Sequence, residues 1–177
     1  MFDHRNGYTL AEMLIVCAVL AVAAAVALPS AQPVVEFRID TAASEIVQAL
    51  RFARQEAMRT NAYRLLACDP GKNQLSVILP GGSADDSNAP KDPLTKMKYK
   101  LVLGQAPAGS NATLKTCSFK FADSTTAATL GFDANGNPVR GSGPSATQAL
   151  ISGTILVGIG NATRTIAIDA NARVTSS

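Results

Sequence analysis

The hydrophobic pattern is concentrated at the start of the chain. Residues 8–28 are apolar except at Thr9 and Glu12, and residues 13–28 form an unbroken apolar run of 16. Twenty-one helical residues reach across a hydrocarbon core of roughly 30 Å. A membrane-competent helix is therefore predicted over 8–28, behind a short polar leader, 1–7. Glu12 is the anomaly. A carboxylate at membrane depth costs roughly 2.5–3.5 kcal/mol at a helix centre and less towards an end, so an unpaired one is a functional candidate. A secretory signal peptide fits Arg5, the apolar residues 10–22 and the small-residue site Ala25-Val26-Ala27. A plain signal anchor fits the apolarity as well. Neither accounts for Glu12.

From Val34 to about Asn61 the chain lacks Gly and Pro, and apolar residues recur at Val35, Ile39, Ala43, Ile46, Leu50, Ala53 and Ala57. Steps of three and four mark one face of an α-helix, with most charges off it. This stem helix, 29–62, continues the first, with Pro29 and Pro33 as expected kinks or a break. Its apolar stripe is expected to pack on a β-sheet of the same chain; a partner helix is the alternative.

Beyond Asn61 the period shortens. Strands are expected at 63–68, 74–79, 96–103, 114–121, 129–132, 154–159 and 164–168. Alternation of polar and apolar residues over 96–101 and 115–121 is that of half-buried antiparallel strands. Asn135-Gly136 between Phe132 and Val139 signals a hairpin turn. Residues 80–93 form a long polar loop expected to be mobile, and 141–149 a second loose stretch. The predicted class is α+β, with residues 63–177 as one β-rich domain.

Composition sharpens the division. Of 177 residues 47% are hydrophobic, but from Pro29 onward only 62 of 149 are, about 42%, close to an ordinary globular body. Disorder throughout and a polytopic membrane protein are excluded. The body carries 15 Lys/Arg against 11 Asp/Glu, a net +4, far from the footprint of a dedicated nucleic-acid binder.

Catalytic chemistry is sparse. The only histidine, His4, lies in the leader, and C-x-x-C, H-E-x-x-H and phosphate-loop patterns are absent. Asp133-Ala134-Asn135-Gly136 has the opening spacing of a calcium loop but not the later acidic ligands, and reads as a turn. Asn111-Ala112-Thr113 and Asn161-Ala162-Thr163 match a glycosylation sequon, a pattern frequent by chance. No catalytic residue, metal site or cofactor is expected.

Gly7-Tyr8-Thr9-Leu10-Ala11-Glu12 resembles the prepilin cleavage motif of type IV pilins and pseudopilins. In that family a prepilin peptidase cuts after the glycine, the new N-terminus is methylated, and glutamate is the fifth mature residue. Gly7 and Tyr8 then flank the processing site and Glu12 serves assembly. Tyr8 departs from the usual Phe or Met. Further on, Ala53-Arg54-Gln55-Glu56-Ala57, followed by Leu65-Leu66-Ala67-Cys68, resembles the GspH/FimT group of minor pseudopilins and pilins. Arg54 and Glu56 themselves read as solvated or sheet-contacting charges, two apart and unable to pair on one face.

The resemblance implies a type IV pilin-like fold, a long N-terminal helix on an antiparallel β region. It implies a bacterial minor pseudopilin of type II secretion, not an enzyme, anchored by a single pass in the inner membrane with its body in the periplasm. Implied partners are other pseudopilins or pilins, the prepilin peptidase, the inner-membrane assembly platform and secreted cargo. The alternatives are a FimT-like pilus subunit binding DNA in uptake and an anchored periplasmic domain of unrelated function. In such a body Cys68 and Cys117 are expected to pair, with two free buried thiols as the alternative; Cys17 reads as a small hydrophobe.

DNA-binding FimT-like proteins carry a basic Gly-Arg-x-Arg motif near the C-terminus. Here the corresponding stretch is Ala172-Arg173-Val174-Thr175, without the glycine or the second arginine. Arg164 and Arg173 are weak DNA-binding candidates unless they converge with Arg140, Lys115 and Lys120. No aromatic follows Phe132 to supply a stacking platform.

Overall fold

The computed structural model describes residues 9–27, 32–105, 111–141 and 148–177. The chain divides into two units, Met1–Pro33 and Val34–Ser177. In the first, α1 (Leu10–Ala27) is apolar at every position but Glu12. Its 18 residues measure about 27 Å at 1.5 Å per residue, against a hydrocarbon core of about 30 Å. Among the described residues no helix is long and apolar enough to cross a membrane. Tyr8 and Leu28, which complete the expected span, lie outside them, as does Pro29.

The second helix, α2 (Gln32–Thr60), has Pro33 in its first turn. Proline is tolerated there because its missing N–H would have no intrahelical partner. Of the kink or break expected around Pro33, the structure has a helix start. The buried stripe is Ile39, Ala42, Ala43, Ile46, Ala49, Leu50, Ala53 and Ala57. Five of these eight are alanines, which let the helix axis lie close to the sheet. Val35, expected in the stripe, is only partly buried, because the stripe begins one turn later.

Ten strands follow among the described residues: β1 (Arg64–Asp69), β2 (Gln74–Ile78), β3 (Lys100–Val102), β4 (Thr113–Phe121), β5 (Thr126–Ala127), β6 (Thr129–Phe132), β7 (Pro138–Arg140), β8 (Gln148–Ile159), β9 (Ala162–Asp169) and β10 (Val174–Ser176). All pair antiparallel in the order β10-β9-β8-β7-β6-β1-β2-β3, with β4 on β8 and β5 on β4. The sheet therefore has two halves. β8 is the strand they share: its first two residues pair with β7, and most of the rest runs with β4 and β9.

Where the halves meet α2, Ile39, Ile46, Leu50, Leu66, Leu75, Phe119, Phe121, Phe132 and Ile155 join one buried cluster. In β4, Leu114 and Phe119 stand five apart, so strict alternation would put them on opposite faces. A register shift between Leu114 and Thr116 resets the parity and buries both. In β8, Gly153 lies between Phe119 and Ile168 on the neighbouring strands; a Cβ there would come within 2.5 Å of the Phe119 ring and 2.6 Å of Ile168.

Two strand expectations change, and the 80–93 loop takes a defined form. Residues 96–99 are not strand. The Asp92 carboxylate accepts from the N–H of Leu94 and Thr95, closing a turn, and Lys96 takes a left-handed φ of 59°, so β3 starts only at Lys100. The 80–93 segment is a chain of turns, with Asp86 accepting from the Ser83 N–H and hydroxyl and the Lys98 ammonium donating to the Asp85 carbonyl. β8 begins at Gln148, six residues before the strand expected from Thr154, and residues 142–147 lie outside the described ones.

Candidate functional site

Gly7 and Tyr8 lie outside the described residues. Glu12 lies in the first turn of α1, where its carboxylate accepts from the Thr9 N–H at 3.0 Å and the Thr9 hydroxyl at 3.1 Å. The Glu12 N–H donates back to the Thr9 hydroxyl at 3.2 Å. Thr9 and Glu12 thus form a reciprocal capping box, which satisfies N–H groups that a helix start leaves without partners. The Thr-x-x-Glu spacing is visible in the sequence but hidden by its apolar setting. The described side chains of α1 are exposed in the single chain.

At the end of α2 the Arg54 and Glu56 side chains serve different neighbours. Arg54 Nε donates to the Gly136 carbonyl at 3.0 Å, holding the β6–β7 hairpin against the helix. Gly136 has φ 80°, and a Cβ there would meet Met58 Sδ at 2.8 Å, so glycine suits both the turn and the close approach. Asp133 closes the turn by accepting from the Asn135 and Asn137 N–H groups and the Asn137 amide, which occupies both carboxylate oxygens. Glu56 takes a bidentate pair from Arg59 at 2.8 Å. Among the described residues no group of three or more His, Cys, Asp or Glu side chains is placed to hold a metal.

The C-terminal cations do not gather. Arg164 Nε donates to Asp40 on α2 at 2.7 Å, and Arg140 pairs with Asp123. The Asp123 carboxyl is held below its ordinary value, first by the Thr125 hydroxyl and also by Arg140. Exposed pairs of this kind contribute little to stability, but each occupies a cation that phosphate would need. Arg173 borders a cavity of about 230 Å³ with Arg51 and Arg54, which neither Arg164 nor Arg140 lines. No sequence signal placed Arg51 beside Arg173.

Cys68 on β1 and Cys117 on β4 are joined, with Cα atoms 6.4 Å apart. The bond crosses from one half of the sheet to the other. Asn73 makes a second, non-covalent crossing: its amide donates to the Ala112 carbonyl at 2.8 Å and accepts from the Leu114 N–H at 2.6 Å. Nothing in the sequence marks that clamp. Phe52 of α2 stacks on Tyr99, with ring centroids 4.2 Å apart. Burial, with Asp92 and Glu45 nearby, pushes the Tyr99 phenol up to about 12. Glu45 shares a cavity with Tyr99 and Asp92; one of its oxygens is buried without a partner, and burial raises its carboxyl.

The family described as type II transport protein GspH matches residues 42–172, and the prokaryotic N-terminal methylation motif matches residues 3–28. No curated protein matches the chain. Among solved structures, the minor pseudopilin EpsH from the type 2 secretion system of Vibrio cholerae is similar at a TM-score of 0.51 and 14% identity, covering 79% of this chain and 96% of that one. The type IV minor pilin FimU of Pseudomonas aeruginosa is similar at 0.48 and 20%, covering 84% and 92%. At these identities the likeness to EpsH shows the fold, a helix on an antiparallel sheet.

Proposed function

The chain belongs to the GspH family of type II transport proteins, and from that premise we propose that it is a minor pseudopilin subunit of a type II secretion pseudopilus. The observation that carries this reading is the conjunction of two matches in one chain: the methylation motif over 3–28 and the GspH family over 42–172. It acts by assembly and protein contact, not catalysis. Its segments are a leader, 1–7; a membrane and filament-core helix, 8–28; a stem, 29–62; and a periplasmic body, 63–177. The prepilin peptidase cuts between Gly7 and Tyr8, the inner membrane holds the chain by its single apolar helix, and the assembly platform passes it to neighbouring subunits.

Glu12 is the residue on which assembly turns. Buried in a bundle of apolar helices, its charge persists only if paired, and the α-amino group exposed at Tyr8 of a neighbour supplies the partner. The Thr9–Glu12 cap offers a competing account: the glutamate as a helix-start residue only. Two substitutions separate them. Gln fills the same capping position, so Glu12→Gln keeps the cap and removes the charge. The expected result is membrane insertion of Glu12→Gln and Glu12→Ala alike, with neither recovered in sheared filaments. Wild-type recovery of Glu12→Gln would remove the charge-pairing role. The engagement of Arg164 by Asp40 and of Arg140 by Asp123 supports a body whose main task is not DNA uptake.

A further inference from the structure

The chain holds seven lysines, and five of them, Lys72, Lys91, Lys96, Lys98 and Lys100, line a single groove of about 840 Å³ with only one carboxylate, Asp85. The groove lies between the turns of residues 84–98 and the side of β2 and β3 that carries Gln74, Lys100 and Val102. Within the chain its charge is poorly answered. Lys100 lies 3.8 Å from Asp85 and Lys72 lies 3.7 Å from Asp69 outside it, while Lys91 and Lys96 have no ion-pair partner among the described residues. Five ammonium groups lining one groove give it a positive potential that an acidic ligand would answer, the more so at low salt.

The lining narrows the ligand. It contains no arginine, so the planar fork that grips phosphate is missing, and no aromatic ring on which a base could stack. Apolar surface takes their place. Met97, in the lining, is 69% exposed, and Leu94, on the turn between the lining residues Lys91 and Lys96, is 90% exposed, more than any other large hydrophobic residue described. A flexible thioether and an exposed leucine among ammonium groups match a protein surface that carries carboxylates and apolar side chains together. β3, only three residues long, ends the sheet and leaves a strand edge beside the lysines.

We propose that this groove docks an extended acidic segment of a partner protein, one that sets carboxylates against Lys91, Lys96 and Lys100 and an apolar side chain against Leu94 and Met97. This goes beyond the assembly role, since it requires neither Glu12 nor a filament. The test uses the full chain in non-ionic micelles and fluorescence anisotropy of a labelled peptide of alternating Glu and Leu, with empty micelles as blank and a labelled oligothymidylate in parallel. Saturable, salt-sensitive peptide binding is expected. The exposed pair Lys91→Glu/Lys96→Glu should weaken it about tenfold. Leu94→Ser/Met97→Ser should weaken it less and leave the salt dependence unchanged, and Lys115→Glu/Lys120→Glu, outside the groove, should leave it intact. Circular dichroism confirms that each variant is folded. No saturable binding, an equal loss in the Lys115/Lys120 variant, or tighter binding of the oligothymidylate would overturn the proposal. None of these outcomes touches filament incorporation, so the assembly role stands or falls separately.

Discussion

Removing the Cys68–Cys117 bond should expose how the two halves of the sheet are held. The bond closes a loop of 49 residues. In the chain-entropy model that loop restricts the unfolded chain by about 4 kcal/mol at 25 °C. The native contribution is not the same everywhere: β4 has only β8 and the two-residue β5 as hydrogen-bonded strands, and the bond anchors it to β1 in the other half. The Asn73 clamp holds the start of β4 independently, so the variant should still fold. The double substitution Cys68→Ala/Cys117→Ala, in the full chain in micelles with Cys17→Ala as background, should lose about 3–4 kcal/mol. With an m-value of roughly 2 kcal/mol per molar, that is a fall in urea midpoint of about 2 M. Reductant should lower the midpoint of the Cys17→Ala chain by a similar amount and leave the double variant unmoved. A thiol count of the denatured, unreduced wild-type chain should find Cys17 alone. A midpoint loss below about 0.5 M, or thiol reactivity from all three cysteines, would refute the argument that this bond constrains the chain.

Processing should give a mature chain that begins at Tyr8 by intact-mass measurement, and Gly7→Leu should retain the leader; a start near Leu28 would return the chain to the secretory signal-peptide class. Gly153→Ala should destabilise the body by about 1–3 kcal/mol in urea titration, since its new Cβ meets Phe119 and Ile168 at less than contact distance. Glu45 has a folded-state pKa above its reference of 4.5, so the stability it contributes is present below that pH and is lost as pH rises through the raised value. Glu45→Gln should therefore raise the unfolding free energy at neutral pH, by under about 1 kcal/mol because solvent screens the half-buried group, and the gain should vanish below the reference pKa.

The parts of the fold legible in the sequence were those in which local pattern and burial agree. The stem stripe from Ile39 to Ala57 repeats at helical steps because a sheet lies under it along its whole length, and β6 matched its expected span because the Asp133–Gly136 turn ends it. The short strands β5, β7 and β10 left no such trace. Two or three residues hold no period, and their pairing comes from strands already in place. The error over residues 96–99 runs the other way. Lys96-Met97-Lys98-Tyr99 alternates like a strand, yet Asp92 captures the two N–H groups ahead of it and turns the chain. A side chain that competes locally for backbone donors overrides a period of two.

The candidate sites divide along the same line. Glu12 was legible because a carboxylate in an apolar run violates a rule that needs no structure to state, whereas its cap with Thr9 emerged only in the structure. Arg164 was legible as a cation but not as an occupied one, because Asp40 lies 124 residues away in sequence. The lysine groove shows both limits at once. Lys91, Lys96, Lys98 and Lys100 fall within ten residues of one another, a run the sequence displays but divides between a polar loop and an expected strand. Its meaning depends on Lys72, delivered from the turn just before β2, and on the Asp92 turn, which leaves Leu94 and Met97 uncovered. Had residues 96–99 continued β3 as their alternation implies, Met97 would face opposite to Lys96 and Lys98 and the groove would lose its apolar lining. The departure from the local pattern is thus what makes the surface, and it supplies a discriminating variant. Asp92→Ala removes the acceptor that closes the turn. It should weaken peptide binding while leaving every lysine in place.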